Sequence, residues 1–188
     1  MNALLTSDSL LARLADRVYA VSEALNWLAR RAAGLFFLGM LATMMLQVVA
    51  RYAFAAPPFW TEELARWLMV WGGLLGASCA FHTHADPAMV HPPAGVAWRL
   101  KLQAVSRFIA SWLFFLPVLW FTYPFFLRQI GRTSEGLEVS TAWMAAALPV
   151  ALILILFHGV AGLGALVSPR VLARETDYAT QFSSNTTE

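Results

Sequence analysis

Long apolar segments alternate with short polar segments along most of this chain. Four segments contain no Asp, Glu, Lys or Arg: residues 32–50, 67–85, 108–127 and 139–167. Each meets the requirement of roughly 17–25 apolar residues for a helix that crosses the hydrocarbon core of a bilayer. The pattern therefore predicts an all-α membrane protein with four transmembrane helices. The last segment is longer than a span needs, so we expect that helix to be tilted or to begin in the interface.

The segment 7–31 has a different pattern, in which charged residues interrupt the apolar ones. Its larger apolar residues recur at alternating spacings of three and four, at Leu11, Leu14, Val18, Val21, Leu25 and Leu28. This spacing is typical of a single apolar stripe on a helix. The charged residues outside the stripe are Arg13, Asp16, Arg17 and Glu23. We expect an N-terminal amphipathic helix that lies in the membrane surface, with a cytoplasmic helix packed on a partner as the alternative.

Composition supports membrane residence and narrows the function. The chain is 59% hydrophobic and 13% charged, whereas soluble domains carry about 25% charged residues. The net charge of +2 is small and the basic residues are scattered, so nucleic-acid binding has no support. The single cysteine, Cys79, excludes an internal disulfide and a multi-cysteine metal site. We expect one membrane domain, residues 1–188, without a cofactor and with a polar tail, 168–188, that frays.

The distribution of Lys and Arg predicts the orientation of the chain in the membrane. One side of the predicted spans carries nine of them: Arg13, Arg17, Arg30, Arg31, Arg99, Lys101, Arg107, Arg170 and Arg174. The other side carries four: Arg51, Arg66, Arg128 and Arg132. By the positive-inside rule, both termini are expected in the cytoplasm.

The most polar cluster of the chain lies between the first two predicted spans. It contains Arg51-Tyr52 and the segment Trp60-Thr61-Glu62-Glu63-Leu64-Ala65-Arg66. One interpretation is a well-formed helix start at the outer interface. The other is a set of side chains that dock a partner or take part in transport.

Local helix chemistry explains several residues of this cluster. Thr61 can cap the second helix, and Glu62 and Glu63 would then lie in its first turn, where the helix dipole favours negative charge. Arg66 follows Glu62 by four residues and can pair with it along the helix. Adjacent carboxylates on a helix point about 100° apart, so they do not converge on one substrate atom. Because no other catalytic motif is present in the sequence, we do not expect an enzyme.

Small residues line one face of the second predicted helix. Gly72, Gly76 and Ala80 recur at four-residue spacing, which allows two helix backbones to approach closely within a membrane. The neighbouring helix could belong to this chain or to a partner.

Three histidines lie in or near the predicted spans. His158 is inside the fourth span, where an ionisable residue suggests function, although a neutral histidine bonded to a neighbouring helix is the commoner arrangement. His82 and His84 lie near the cytoplasmic end of the second span, where water can reach them. A haem-carrying membrane anchor of a respiratory enzyme is the alternative function that these histidines suggest. However, His82 and His158 are expected to differ in depth by about six residues, or roughly 9 Å, which argues against a shared haem.

The residues around the first connection form a sequence signature. They are Val49-Ala50-Arg51-Tyr52-Ala53-Phe54, Pro58 and Trp60–Arg66, continued by Val70-Trp71, Gly76-Ala77 and Ala80-Phe81. A second group near the fourth span consists of Ser134, Leu137, Ser140, Trp143 and Pro149. Together they resemble the small membrane (Q-type, DctQ-like) subunit of tripartite ATP-independent periplasmic (TRAP) transporters, over about residues 30–167. One departure is that the basic pair often found after the second helix of that family is missing here.

The resemblance implies a role that composition cannot show. In this family a large multi-spanning subunit moves the substrate, driven by a sodium gradient, after a soluble periplasmic protein has captured it. The small subunit is similar to a scaffold that braces the large subunit in the bacterial inner membrane and helps to dock the binding protein. Substrates are usually organic acids bearing a carboxylate. The candidate partner-interface residues are Arg51, Tyr52, Trp60, Glu62, Glu63, Arg66, Gly72 and Gly76.

Overall fold

The structure is a computed structural model that describes residues 10–85 and 97–185, with side chains for residues 10–85 and 98–178. Its helices are α1 (Leu10–Phe54), α2 (Trp60–His82), α3 (Ala97–Ile130), α4 (Ala142–Ala145), α5 (Ala147–Gly162) and α6 (Pro169–Asn185), with a 3-10 turn at Leu163–Leu166. Within the described ranges there is no β-strand, only an isolated bridge between Thr133 and Ser140. The predicted all-α class is confirmed.

Within residues 10–85 and 97–185, four helical segments are long and apolar enough to cross a membrane. They are Leu10–Phe54, Trp60–His82, Trp98–Ile130 and Ala142–Leu166. Many of their large apolar side chains are exposed; in α3, for example, Leu113 is 77% and Trp120 is 78% exposed. Exposure of such side chains to water costs about 1.5–3 kcal/mol each, relative to burial. Lipid removes this cost, so the exposed apolar surfaces are those of a membrane protein.

The predicted N-terminal amphipathic helix and the first span form one continuous helix. α1 runs unbroken for 45 residues, so the amphipathic segment is not a separate element, and its first residues, 7–9, lie outside the described chain. Residues 27–33 contain only Ala, Leu, Arg and Trp, and the first three of these are among the strongest helix formers. The glycine that follows, Gly34, costs about 1 kcal/mol relative to Ala and does not interrupt the helix.

α2 ends in a Schellman motif whose left-handed residue is a histidine. His84 has a φ of 55°, and the N–H of Ala85 donates to the carbonyl of Ala80 at 2.9 Å, as the C″ and C3 residues of this motif do. Glycine usually occupies the left-handed position, because a side chain there costs about 1–2 kcal/mol.

The fourth predicted span consists of α4, α5 and the 3-10 turn. α4 ends at Ala145, and Pro149, four residues later, has no N–H to donate to the carbonyl of Ala145. Ala146 between the two helices keeps right-handed helical angles, with φ −64° and ψ −22°. The backbone at this interruption therefore keeps a helical conformation.

The polar tail is helical where it is described, which makes the expected fraying of residues 169–185 wrong. α6 begins with Pro169, and the hydroxyl of Ser168 accepts a bond from the N–H of Val171 at 3.4 Å. Serine at the N-cap and proline at the first helical position form a strong helix start. The side chain of Val171 is only 2% exposed, so the helix is also held by packing.

The described chain divides into two compact units. The first consists of residues 10–26, 80–85, 97–117 and 154–185, and the second of residues 27–79 and 118–153. A buried apolar cluster in the first unit consists of Tyr19, Ala161, Ala165 and Val171. In the second unit, α1 and α2 approach closely where the ring of Phe37 lies over Gly72.

Candidate functional site

Most of the candidate partner-interface residues lie in the second unit, around the turn between α1 and α2. Arg51 and Tyr52, in the last turn of α1, are exposed, and Tyr52 is 84% exposed. Trp60 begins α2 and is half-buried. Thr61 does not cap the helix as expected, because the helix begins one residue earlier and the Thr61 hydroxyl donates instead to the carbonyl of Pro58 at 2.7 Å.

Glu62 and Arg66 form the expected pair along α2. The Nη2 of Arg66 and the Oε1 of Glu62 are 3.8 Å apart, and the side chains are 62% and 73% exposed, respectively. An exposed pair of this kind contributes about 0.3–0.5 kcal/mol to a helix. Both charges therefore remain available to a partner at little cost to the fold.

Glu63 has a different environment from Glu62. Its Oε2 accepts a hydrogen bond from the backbone N–H of Gly136 at 2.8 Å. A Cβ added to Gly136 would lie 2.7 Å from this Oε2 and 3.3 Å from the Cα of Trp60. The contact is thus close enough to require glycine at position 136, and Glu63 holds the loop between α3 and α4 against the start of α2.

The loop that Glu63 holds is internally bonded. The N–H of Ser134 donates to the carbonyl of Val139 at 2.9 Å, and the N–H of Thr141 donates to the carbonyl of Arg132 at 2.9 Å. The hydroxyl of Thr141 also donates to the side-chain oxygen of Gln129 at 2.9 Å. These bonds make residues 132–141 a compact hairpin-like loop rather than a loose connection.

The two candidate glycines of α2 have different surroundings. A Cβ at Gly72 would lie 3.2 Å from the ring of Phe37, whereas a Cβ at Gly76 would meet no described atom within 4 Å. Gly72 therefore serves packing between α1 and α2 of this chain. Gly76 presents an open notch on the same helix.

A buried polar cluster in the first unit joins residues far apart in sequence. The hydroxyl of Ser22 in α1 lies 2.7 Å from Nδ1 of His158 in α5 and 3.3 Å from Nδ1 of His82 in α2. The two imidazole centroids are 4.7 Å apart. The expected difference in depth between the histidines is therefore wrong, because both rings converge on the same serine. The expectation that His158 bonds to a neighbouring helix is confirmed.

His84 belongs to a second set of buried contacts in the same unit. It is 9% exposed and His82 is 5% exposed, so the expectation that bulk water reaches these two side chains is wrong. Its Nε2 donates to the carboxylate of Glu175 in α6, and its Nδ1 accepts from the guanidinium of Arg107 in α3 at 2.5 Å. The hydroxyl of Tyr19 in α1 donates to the other carboxylate oxygen of Glu175 at 3.2 Å. Each partner of the buried carboxylate is thus a donor, as a buried anion requires.

Further polar contacts border this cluster along α1 and at the start of α6. The hydroxyl of Ser168 donates to Asp16 at 2.5 Å, and Arg170 lies 3.8 Å from the same carboxylate. Arg174 lies 4.0 Å from Glu23. Two of the charged residues outside the apolar stripe of segment 7–31, Asp16 and Glu23, therefore pair with arginines of α6 in the same chain.

The histidine geometry does not suit a haem. Two axial histidines must lie on opposite faces of a porphyrin, whereas the rings of His82 and His158, with centroids 4.7 Å apart, leave no room for a macrocycle between them. Among residues 10–85 and 97–185, no three His, Cys, Asp or Glu side chains converge to hold a metal ion. The haem-carrying alternative therefore loses the observation on which it depended.

Sequence reasoning missed Ser22, Arg107, Gly136 and Glu175 as members of these clusters. A serine or a glycine has no sequence signal that distinguishes one tertiary contact from another. Glu175 had one indirect signal: it follows the Ser168-Pro169 helix start, so a helix was predictable there, although its partners were not.

Comparisons with known proteins agree with the resemblance found in the sequence. Residues 40–168 match the profile of the family described as "Tripartite ATP-independent periplasmic transporters, DctQ component". The chain is also 28% identical over 146 residues to the sialic acid TRAP transporter permease protein SiaT of Haemophilus influenzae (strain 86-028NP). The aligned region covers 73% of this chain and 22% of that relative, so the chain spans about a fifth of the relative's length.

Proposed function

Because the chain belongs to the DctQ family of TRAP transporter components, we propose that it braces the large transport subunit in the bacterial inner membrane and helps to dock the periplasmic binding protein. In this proposal the large subunit moves the substrate. This chain supplies a fixed membrane surface and an exposed polar edge, and no active site.

The docking proposal rests on the different environments of two adjacent carboxylates, those of Glu62 and Glu63. Glu63 is engaged by Gly136 within the chain, whereas Glu62 and Arg66 stay exposed on the same helical turn. Arg51 and Tyr52 lie exposed at the end of α1. Four exposed polar candidates at one connection suit a partner that approaches from water.

The orientation in this proposal follows from the nine-to-four distribution of basic residues. It puts the α1–α2 turn and the 132–141 loop on the periplasmic side. A periplasmic binding protein, or a loop of the large subunit, could reach the exposed charges there.

We propose organic acids bearing a carboxylate as the substrate class. The support is the family and the name of the relative, since sialic acid carries a carboxylate. This subunit alone has no residue to which we assign substrate recognition.

Co-purification with the large subunit and substrate uptake by reconstituted vesicles test the proposal. A buried interfacial charge costs about 2–5 kcal/mol of association when truncated, so Glu62→Gln and Arg66→Gln should each weaken assembly or docking by more than tenfold. Arg99→Gln, an exposed charge at the other end of the spans, is the matched control and should leave assembly and docking unchanged. If both α2 variants assemble, dock and transport like the parent, these charges only stabilise the helix. Loss of uptake with intact assembly and docking would instead assign them to the transport step.

A further inference from the structure

The Ser22 hydroxyl lies within hydrogen-bond distance of both buried histidines. Ser22, His82 and His158 are 0%, 5% and 4% exposed, and burial of this degree favours the neutral form of both imidazole rings. The two ring nitrogens at hydrogen-bond distance from the hydroxyl are the Nδ1 atoms of His82 and His158. A hydroxyl has one proton, so it donates to one Nδ1 and accepts from the other.

The two distances assign these roles. O–H donors give shorter bonds than N–H donors, so Ser22 donates to His158 at 2.7 Å and accepts from His82 at 3.3 Å. His158 then has its proton on Nε2, and His82 has its proton on Nδ1. The Nε2 of His158 is therefore a donor and the Nε2 of His82 is an acceptor.

Both Nε2 atoms are buried and have no hydrogen-bond partner among the described residues. Both histidines line one small cavity, which offers about 20 Å³ to the centre of a water molecule. One water needs about 10–15 Å³ by this measure and two or more polar partners. His84, Arg107 and Glu175 line the same cavity and make it polar.

We propose that this cavity binds one water molecule, which accepts from Nε2 of His158 and donates to Nε2 of His82. With this water, the hydrogen bonds form a closed ring in which each group donates to the next: Ser22, His158, water, His82 and again Ser22. Such a ring is cooperative and joins α1, α2 and α5 at one point. Reversing the ring moves a proton at every member, so the two histidines hold opposite tautomers and can exchange them only together.

Nitrogen-15 NMR of the full chain in lipid nanodiscs, labelled at histidine, tests the ring. Protonated and unprotonated imidazole nitrogens differ widely in chemical shift, and each signal is assigned from the variant that lacks that histidine. We expect His82 with its proton on Nδ1, His158 with its proton on Nε2, and a through-space cross-peak between the His158 Nε2–H and water. The same tautomer at both histidines, or the absence of the water cross-peak, would overturn the proposal.

Ser22→Ala should release the constraint, so that both histidines show averaged tautomers. The His158 Nε2–H should then exchange with solvent about five- to tenfold faster, as expected for the loss of one hydrogen bond. Ser111→Ala is the matched control, because Ser111 is also buried but donates only to the carbonyl of Phe108. If Ser22→Ala does not fold, the tautomers of the parent chain still decide the question. Stoichiometric cadmium binding by the parent that is lost in His82→Gln would show that the cavity holds a metal ion instead of water.

Discussion

The hydroxyl of Tyr19 donates to the carboxylate of Glu175, 156 residues later in the chain. The bond joins α1 to α6, and His84 supplies the second donor to the same carboxylate. α6 is therefore held by a buried anion as well as by the apolar contact of Val171. The charged end of α1 is accordingly part of a tertiary contact within this chain.

Tyr19→Phe should lower the free energy of unfolding by about 1.5–3 kcal/mol, the usual range for a hydrogen bond to a charged group. Thermal unfolding in mild detergent measures the change, and limited proteolysis reports whether α6 is released. Arg170→Ala is the control, because the Arg170 side chain is 87% exposed in its pair with Asp16 and should cost no more than about 0.5 kcal/mol. Equal losses from both variants would count against the buried carboxylate as the main attachment of α6.

Gly136→Ala should destabilise the loop between α3 and α4 by about 1–3 kcal/mol, the usual cost of overpacking. The added Cβ would meet Glu63 at 2.7 Å and the backbone of Trp60 at 3.3 Å. Gly131→Ala is the matched control in the same connection, since a Cβ there would meet nothing within 4 Å. Protease cleavage of the loop and the unfolding temperature should change only for Gly136→Ala.

Glu62→Gln and Glu63→Gln should differ in their effect on the free energy of unfolding when the chain is measured without any partner. Glu63→Gln weakens the bond from Gly136 and should cost about 0.5–1.5 kcal/mol, whereas Glu62→Gln should stay within about 0.5 kcal/mol of the parent. In assembly or docking the order should reverse, because Glu62 is the exposed one. If Glu62→Gln proves the more destabilising in the isolated chain, the division between the two carboxylates is wrong.

Gly76→Leu should reduce co-purification with the large subunit if a helix of that subunit enters the notch at Gly76. The isolated chain should tolerate the substitution, since no described atom lies within 4 Å of the new Cβ and glycine is a poor helix former. Gly73→Leu is the control, because Gly73 lies on the same helix and a Cβ there would also meet nothing within 4 Å. If Gly76→Leu leaves the amount of co-purified large subunit unchanged, the notch at Gly76 faces lipid.

Reporter fusions test the predicted orientation. A reporter after residue 188 should be active in the cytoplasm, and one inserted at Thr133 should be active in the periplasm, because nine of thirteen basic residues are on the side of the termini. Activity of both fusions on the same side would require an even number of crossings between them and would contradict the single span, Ala142–Leu166, that lies there.

The parts of the fold that depend on local pattern were predictable. The four spans follow from the length of uncharged segments, and the pair between Glu62 and Arg66 follows from four-residue spacing on a helix. The continuity of α1 is not evident from the sequence, because a change from an amphipathic to a fully apolar pattern resembles a boundary between two helices. Neither pattern interrupts backbone hydrogen bonds, so the helix continues through the change.

The contacts that define the sites were not predictable in the same way. Ser22 and His158 are 136 residues apart, and Glu63 and Gly136 are 73 apart. Such pairs depend on which helix faces meet, and apolar segments without a clear periodicity do not specify a face. The error for His82 and His158 has this origin, since counting residues from the span ends assumes equal, untilted helices.

The left-handed backbone conformation of His84 favours glycine at this position, whereas the hydrogen bond to Glu175 requires the histidine side chain. Glycine at this position would relieve about 1–2 kcal/mol of steric cost in the turn. It would also remove a donor from Glu175, and a buried carboxylate that loses a partner costs about as much or more. Engineering a more stable chain by relaxing this turn would therefore fail unless residue 175 became apolar in the same step, so positions 84 and 175 form a coupled pair for redesign.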